Sequence, residues 1–125
     1  MDLVEREDFH FRPGDASDLE AKIQASAGKL VMLDFYADWC VACKELELFT
    51  FSDPRVQARL QNAVLLQVDV TGNTDEDAAL LKRFSLFGPP AIIFFDQNGE
   101  EIMPMRVIGF QDAERFLRTL QQTNL

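Results

Sequence analysis

Two cysteines and one histidine are all the Cys and His that the 125 residues offer. A structural zinc takes about four Cys or His ligands, so a self-contained zinc site is not built from this chain. The same scarcity excludes a scaffold stapled by disulfides. Positive charge is also short, with 12 Lys and Arg against 21 Asp and Glu and a net charge of −9. Nothing here neutralises phosphates, which argues against nucleic acid and against an anionic membrane surface. Long apolar runs are missing: the longest uncharged one, Pro89 to Phe95, stops at Asp96, far below the roughly 18 residues of a spanning helix. The early acids Asp2, Glu5, Glu7, Asp8 and Asp15 leave no signal-peptide pattern. Internal repeats and low-complexity tracts are absent. The reading is a soluble segment without direct membrane insertion.

What is present fits one globular domain. The apolar fraction is 47% and there are 11 phenylalanines, enough for a large aromatic core. Residues 1–8 read as an N-terminal tail or linker and 9–125 as the domain. Phe9-His10-Phe11 alternates like a short edge strand stopped by Pro13-Gly14. Ser17-Asp18-Leu19-Glu20 is a capping box that opens a helix with Leu19, Ile23 and Ala27 on one face, closed at Gly28. Leu30 to Tyr36 is almost continuously apolar, as in a strand covered on both sides. Cys40 to Phe49 lacks Gly and Pro and reads as a helix. Asp53-Pro54 starts another. Val64 to Val70 is a strand, and Thr74 opens a helix through Leu80, Leu81 and Phe84. After Gly88-Pro89-Pro90 come a strand over Ala91 to Phe95, a turn at Asn98-Gly99, and an antiparallel return over Glu101 to Ile108. Beyond Gly109 a last helix carries Ala113, Phe116, Leu117 and Leu120 as a stripe. The order β-α-β-α-α-β-α-β-β-α predicts an α/β domain with a central mixed sheet and helices on both faces.

The chemistry centres on Cys40-Val41-Ala42-Cys43, where a buried strand hands over to a helix. Unpaired N–H groups and partial positive charge at a helix start stabilise a thiolate, the species that attacks disulfides. The spacing lets the two sulfurs close a small ring. Cys40 is expected at the exposed tip as the attacking residue, with Cys43 one turn inward to resolve. Other readings of the pair are half of a zinc site, with His10 the one further Cys or His candidate, a copper-carrying loop, or two core cysteines packed as small hydrophobes. A CxxC beside a βαβ pattern favours redox work.

Asp34-Phe35-Tyr36-Ala37-Asp38-Trp39-Cys40-Val41-Ala42-Cys43-Lys44 resembles the active-site segment of the thioredoxin family. Gly88-Pro89-Pro90 resembles that family's cis-proline loop, with Pro90 in the role, and Gly99 and Gly109 fall where the family has glycines. Tyr36 to Glu45, with Thr50-Phe51-Ser52-Asp53-Pro54, looks further like the C-terminal periplasmic domain of bacterial inner-membrane thiol:disulfide interchange reductases. The resemblance implies a thioredoxin fold and no cofactor beyond the Cys40–Cys43 dithiol. It implies a periplasmic location and transient mixed disulfides with other redox proteins. Those partners would be the membrane and N-terminal domains of its own parent, in a relay serving electron transport and cytochrome c biogenesis. Three departures from ordinary thioredoxin stand out: Val-Ala between the cysteines, Gln67 in place of a lysine near the buried acid, and Ala91 after the proline. They set the chain apart from a generalist cytosolic thioredoxin. A free-standing thioredoxin-like reductase with other clients is the alternative, and a CxxC metal-binding module is a third.

Two acids stand near the thiols. Asp34 interrupts an apolar strand and is expected to be buried with a raised pKa; the other reading is a solvated strand end. Glu47 is four residues past Cys43 and is expected on the same helix face, the other reading being a plain surface charge. The resemblance adds a functional role for an acid here. Negative charge beside a sulfur disfavours thiolate, which makes the pair a better reductant. Either acid is also a proton acceptor for Cys43. By the same resemblance Trp39, Val41, Ala42, Pro89, Pro90, Ile108 and Gly109 surround Cys40 as a partner surface, Ile108 having a core reading as well. His10 reads as a strand-face residue, and Phe94, Phe95 and Phe116 as core.

Overall fold

The computed structural model describes residues 12–14, 19–26 and 28–123. Strands β1 (Arg12–Gly14), β2 (Val31–Tyr36), β3 (Val64–Asp69), β4 (Ala91–Phe95) and β5 (Val107–Ile108) form one sheet in the order β1-β3-β2-β4-β5. β1 and β2 run parallel to β3, β4 runs antiparallel to β2, and β5 antiparallel to β4. Helices α1 (Leu19–Ala25), α2 (Val41–Glu45), α3 (Pro54–Arg59), α4 (Asp75–Arg83) and α5 (Ala113–Leu120) complete the domain. The element order is the one the sequence predicts.

β2 sits in the middle because its residues are apolar in both phases of the pleat. Val31, Leu33 and Phe35 pack with Leu19, Ile23, Leu66 and Ile93 in one core cluster. Met32 packs with Leu46, Val56, Phe94, Phe116 and Leu120 in the other. Edge-to-face phenylalanines fill both: Phe35 on Phe84 at 6.0 Å in the first, Phe51 on Phe116 at 5.7 Å in the second. Helix starts follow their caps. Thr74 and Asp77 form a reciprocal capping box for α4. Asp53 accepts the Arg55 N–H, with Pro54 in the first turn of α3.

Three expectations change. The edge strand lies on Arg12–Gly14, so Pro13 and Gly14 belong to it instead of stopping it. Proline lacks an N–H and is tolerated where one side of the strand faces no neighbour. Phe9-His10-Phe11, the Ser17-Asp18 part of the capping box and Ala27 lie outside the described residues. The helix after the cysteines does not continue as one α-helix: from Leu46 to Thr50 it widens into a π-helix. The antiparallel return is also not one strand. A single bridge joins Phe95 to Glu101, Met103–Met105 form a 3-10 turn, and only Val107–Ile108 pair with β4. Pro104, inside that turn, cannot donate to a ladder.

The register decides what gathers at each end of the sheet. Phe35 stands beside Val68 on one side and Ala91 on the other, and Ala91 beside Ile108. Beyond this row come Tyr36 to Cys40, Asp69 to Thr71, Pro89-Pro90 and Gly109, so segments far apart in sequence meet at one end.

Candidate active site

Cys40 caps α2 with extended backbone, and its sulfur accepts the Cys43 N–H at 3.1 Å. The two residues are joined by a disulfide with Cα atoms 5.2 Å apart. Cys43 Sγ lies 3.9 Å from the carbonyl oxygen of Phe35, which ties the sulfurs to the row described above. Cys40 does not stand at an exposed tip: it is 6% exposed, against 4% for Cys43. In the oxidised pair its sulfur turns back over the first turn of α2 and packs with the first core cluster. The exposure belongs to its neighbours, Trp39 at 53% and Val41 at 73%.

Asp34 is buried at 3% exposure. It pairs across the ladder with Gln67, whose Nε2 donates to Asp34 Oδ2 at 3.1 Å. Burial pushes the carboxyl up to about 7, the Gln67 hydrogen bond pulls it down, and the charge of Glu47 pushes it further up. Glu47 is half-buried in the π-helix. Because the helix widens at Leu46, simple four-residue spacing from Cys43 does not describe its setting. Its negative charge adds to the upward push on the Asp34 carboxyl and the Tyr36 hydroxyl.

The proposed partner residues fall at the same end. The Pro89–Pro90 peptide is cis. The Pro90 carbonyl accepts the Gly109 N–H at 3.2 Å, closing the loop onto β5. Gly109 has φ +86, a conformation that glycine takes without strain. Ile108 is 65% exposed and so is not core. Ala42, Pro89 and Pro90 are half-buried. Phe94, Phe95 and Phe116 are buried, as expected.

Several residues at this end carry no sequence signal of their own. Lys44 Nζ donates to Tyr36 Oη at 2.6 Å and lies 5.2 Å from the ring centroid, while the Tyr36 hydroxyl donates to Asp38 at 3.0 Å. Burial pushes the Tyr36 hydroxyl up, and the bond to Tyr36 pushes Lys44 up. Thr71 contacts both Asp38 and Trp39. Phe87, just before the cis-proline loop, is fully exposed, and Phe110 is partly so. The contacts of these residues depend on loop geometry, whereas Gln67 is already placed near the buried acid by resemblance. Among the described residues, no three His, Cys, Asp or Glu side chains gather so as to hold a metal, and no helix is long and apolar enough to cross a membrane.

Comparison with known proteins agrees with this arrangement. The family model of the thioredoxin-like domain matches residues 17–124. The chain is 54% identical over 116 residues to the thiol:disulfide interchange protein DsbD of Yersinia pestis, covering 92% of this chain and 20% of that protein. The chain therefore spans about a fifth of the length of the curated relatives it matches. The C-terminal domain of Neisseria meningitidis DsbD in its oxidised form superposes with a TM-score of 0.71 at 35% identity, covering 86% of this chain and 90% of that one. Its reduced form gives 0.73 at 33% identity, covering 90% and 99%.

Proposed function

From the premise that this chain belongs to the thioredoxin-like family, and within it to the DsbD C-terminal domains, we propose that it is a protein-disulfide reductase relaying electrons between dithiol and disulfide pairs. The observation that carries the reading is the Cys40–Cys43 disulfide at the N-terminus of α2, flanked by exposed apolar side chains and backed by a buried acid.

The exchange runs in two displacements. The Cys40 thiolate attacks one sulfur of a partner disulfide, forming a mixed disulfide and releasing the partner's other sulfur as thiolate. The Cys43 thiolate then attacks Cys40 Sγ. The Cys40–Cys43 bond forms, the mixed disulfide breaks, and the partner leaves fully reduced. Two electrons pass to the partner. The Phe35 carbonyl, 3.9 Å from Cys43 Sγ, is an acceptor for the thiol proton in the reduced form. Asp34, the residue before it, has a pKa near 7 and is suited to take that proton when Cys43 attacks. Asp34 and Glu47 both disfavour a thiolate nearby, which favours electron donation over disulfide insertion. Trp39, Val41, Ala42, Pro89, Pro90, Ile108 and Gly109 form the docking face.

On this reading the domain works in the periplasm as part of a longer inner-membrane protein. It takes electrons from that protein's membrane domain and passes them to its N-terminal domain. The test is trapping. A Cys43→Ala variant should hold either domain through Cys40 as a mixed disulfide identifiable by mass spectrometry, and Cys40→Ser should hold neither. A Cys43→Ala variant that captures nothing from purified partner domains defeats the relay. A redox titration against glutathione that returns a strongly oxidising potential defeats the direction of flow.

A further inference from the structure

Thr71 follows β3 in the loop to α4, and no motif singles it out. Its position follows from the parallel ladder. The Val70 N–H donates to the Tyr36 carbonyl at 2.7 Å, so the residues that follow β2 and β3 emerge side by side. All the hydrogen-bonding groups of Thr71 are then engaged. Its Oγ1 accepts the Asp38 N–H at 2.8 Å, and its carbonyl accepts the Trp39 Nε1–H at 3.0 Å. Its own N–H donates to Asp69 Oδ1 at 2.8 Å, and its hydroxyl donates to the same oxygen. Asp38 in turn accepts from Tyr36, which accepts from Lys44 of α2. One loop residue thus fastens the two positions that precede Cys40.

We propose that Thr71 is a positioning residue that holds the Trp39 indole in its docking orientation beside the Cys40–Cys43 pair. Trp39 is more than half exposed, and a large exposed side chain left to rotate loses that freedom whenever a partner binds. Fixing it beforehand removes this cost from each encounter. Asp69 locks the Thr71 hydroxyl, the hydroxyl locks the Asp38 N–H, and the Thr71 carbonyl is thereby set where the indole N–H meets it. A small disulfide needs only the sulfurs. A protein disulfide needs the indole surface as well, so Thr71 separates the two classes of oxidant. The proposal rests on Trp39 being part of the partner face.

The experiment uses Thr71→Val, which keeps the β-branched shape and removes the hydroxyl, and Thr71→Ser, which restores it. Trp39 is the single tryptophan, so time-resolved fluorescence anisotropy of the oxidised domain reports its motion alone. Thr71→Val should add a fast local component that wild type and Thr71→Ser lack. The reduced proteins are then mixed with insulin or with oxidised glutathione, quenched with acid and weighed. The insulin rate should fall about two- to tenfold in Thr71→Val, the worth of one ordinary hydrogen bond, and return in Thr71→Ser. The glutathione rate should stay within about twofold, below that same worth. An indole that does not loosen overturns the proposal, as does an insulin rate that holds while it loosens. A parallel fall in both rates also overturns it, because Thr71 would then act on the thiols themselves. Wild type that exchanges with neither disulfide defeats the reductase reading instead, and the anisotropy of Thr71→Val still decides whether the latch exists.

Discussion

The two ends of the sheet are built from the same ladders and finished in opposite ways. At the end where β2 starts, the chain closes on itself. The Gly28 N–H donates to the Gln97 carbonyl at 2.9 Å, and the Asp96 side chain accepts from Asn98 and Glu100 in the turn after β4. Gly99 takes φ +79 there, and Leu30, the residue before β2, is buried. At the end where β2 and β3 finish, Trp39 and Val41 beside the cysteines, and Phe87, Ile108 and Phe110 on the segments flanking the cis-proline loop and β5, are left exposed. One end satisfies its own backbone with tight turns, and the other keeps apolar surface for something else to cover. The difference separates stability from function: substitutions toward the closed end should change how firmly the domain folds, and those at the open end what it reacts with.

The largest expected effect tests that separation from the closed side. Phe116 is fully buried and packs on Phe51 at 5.7 Å and Phe94 at 6.3 Å. Phe116→Ala should cost about 3–5 kcal/mol, read by urea unfolding, with the rate of insulin reduction per folded molecule unchanged. A lost rate in molecules that remain folded would break the comparison. Asp34 comes next and couples the two regions, because it is a buried charge in the sheet itself. Its folded pKa of about 7 lies above its ordinary 3.8. Between those values the native state holds a proton that the unfolded state has lost, so stability falls as pH rises through this window and stays low above it. At about 1.4 kcal/mol per pH unit the loss is at most about 4 kcal/mol. Asp34→Asn should therefore be more stable than wild type at pH 8 and equal to it near pH 3.5, measured by thermal unfolding. Equal stability at both pH values would mean that Asp34 is not buried as a carboxylate.

Much of this was legible in the chain, for identifiable reasons. β2 and β4 were readable because Val31 to Phe35 and Ala91 to Phe95 are apolar at successive positions, which only a doubly covered strand requires. α4 was readable from Thr74 and Asp77, whose capping is local. The cysteine pair was readable because its spacing carries the chemistry, and Pro90 because Gly88-Pro89-Pro90 resembles the family's cis-proline loop. The break in the return strand was missed although Pro104 marked it, because the turn at Asn98-Gly99 suggested an uninterrupted antiparallel return. The π-helix over Leu46–Thr50 was hidden as well, since its widening is held by tertiary contacts such as Thr50 Oγ1 donating to the Gln111 carbonyl at 2.6 Å. Gln67 was placed near the buried acid by resemblance alone, and its bond to Asp34 joins residues 33 positions apart; the burial of Cys40 and the roles of Tyr36 and Thr71 depend on strand register and loop closure.

Smaller effects sharpen the comparison at the open end. Glu47 pushes the Asp34 carboxyl up through its charge. Glu47→Gln should move the Asp34 titration to lower pH, followed by the side-chain carboxyl carbon in a 13C NMR titration, and should narrow the window over which stability declines. A titration midpoint that does not move would show that the charge of Glu47 does not reach Asp34.

The smallest folding effect belongs to Ile108, and it is the most informative about the open end. Ile108 pairs with Ala91 through its backbone while its side chain is 65% exposed. Ile108→Ser keeps the ladder and removes only surface, so unfolding should shift by less than about 0.5 kcal/mol. If the exposed apolar side chains form a docking face, the same change should slow exchange with a protein disulfide while leaving oxidised glutathione untouched, because only the larger oxidant covers Ile108. Parallel rates with both would place Ile108 outside the contact. The docking face would then narrow to the Trp39, Val41 and cis-proline side of the cysteines, and β5 would serve only to close the sheet.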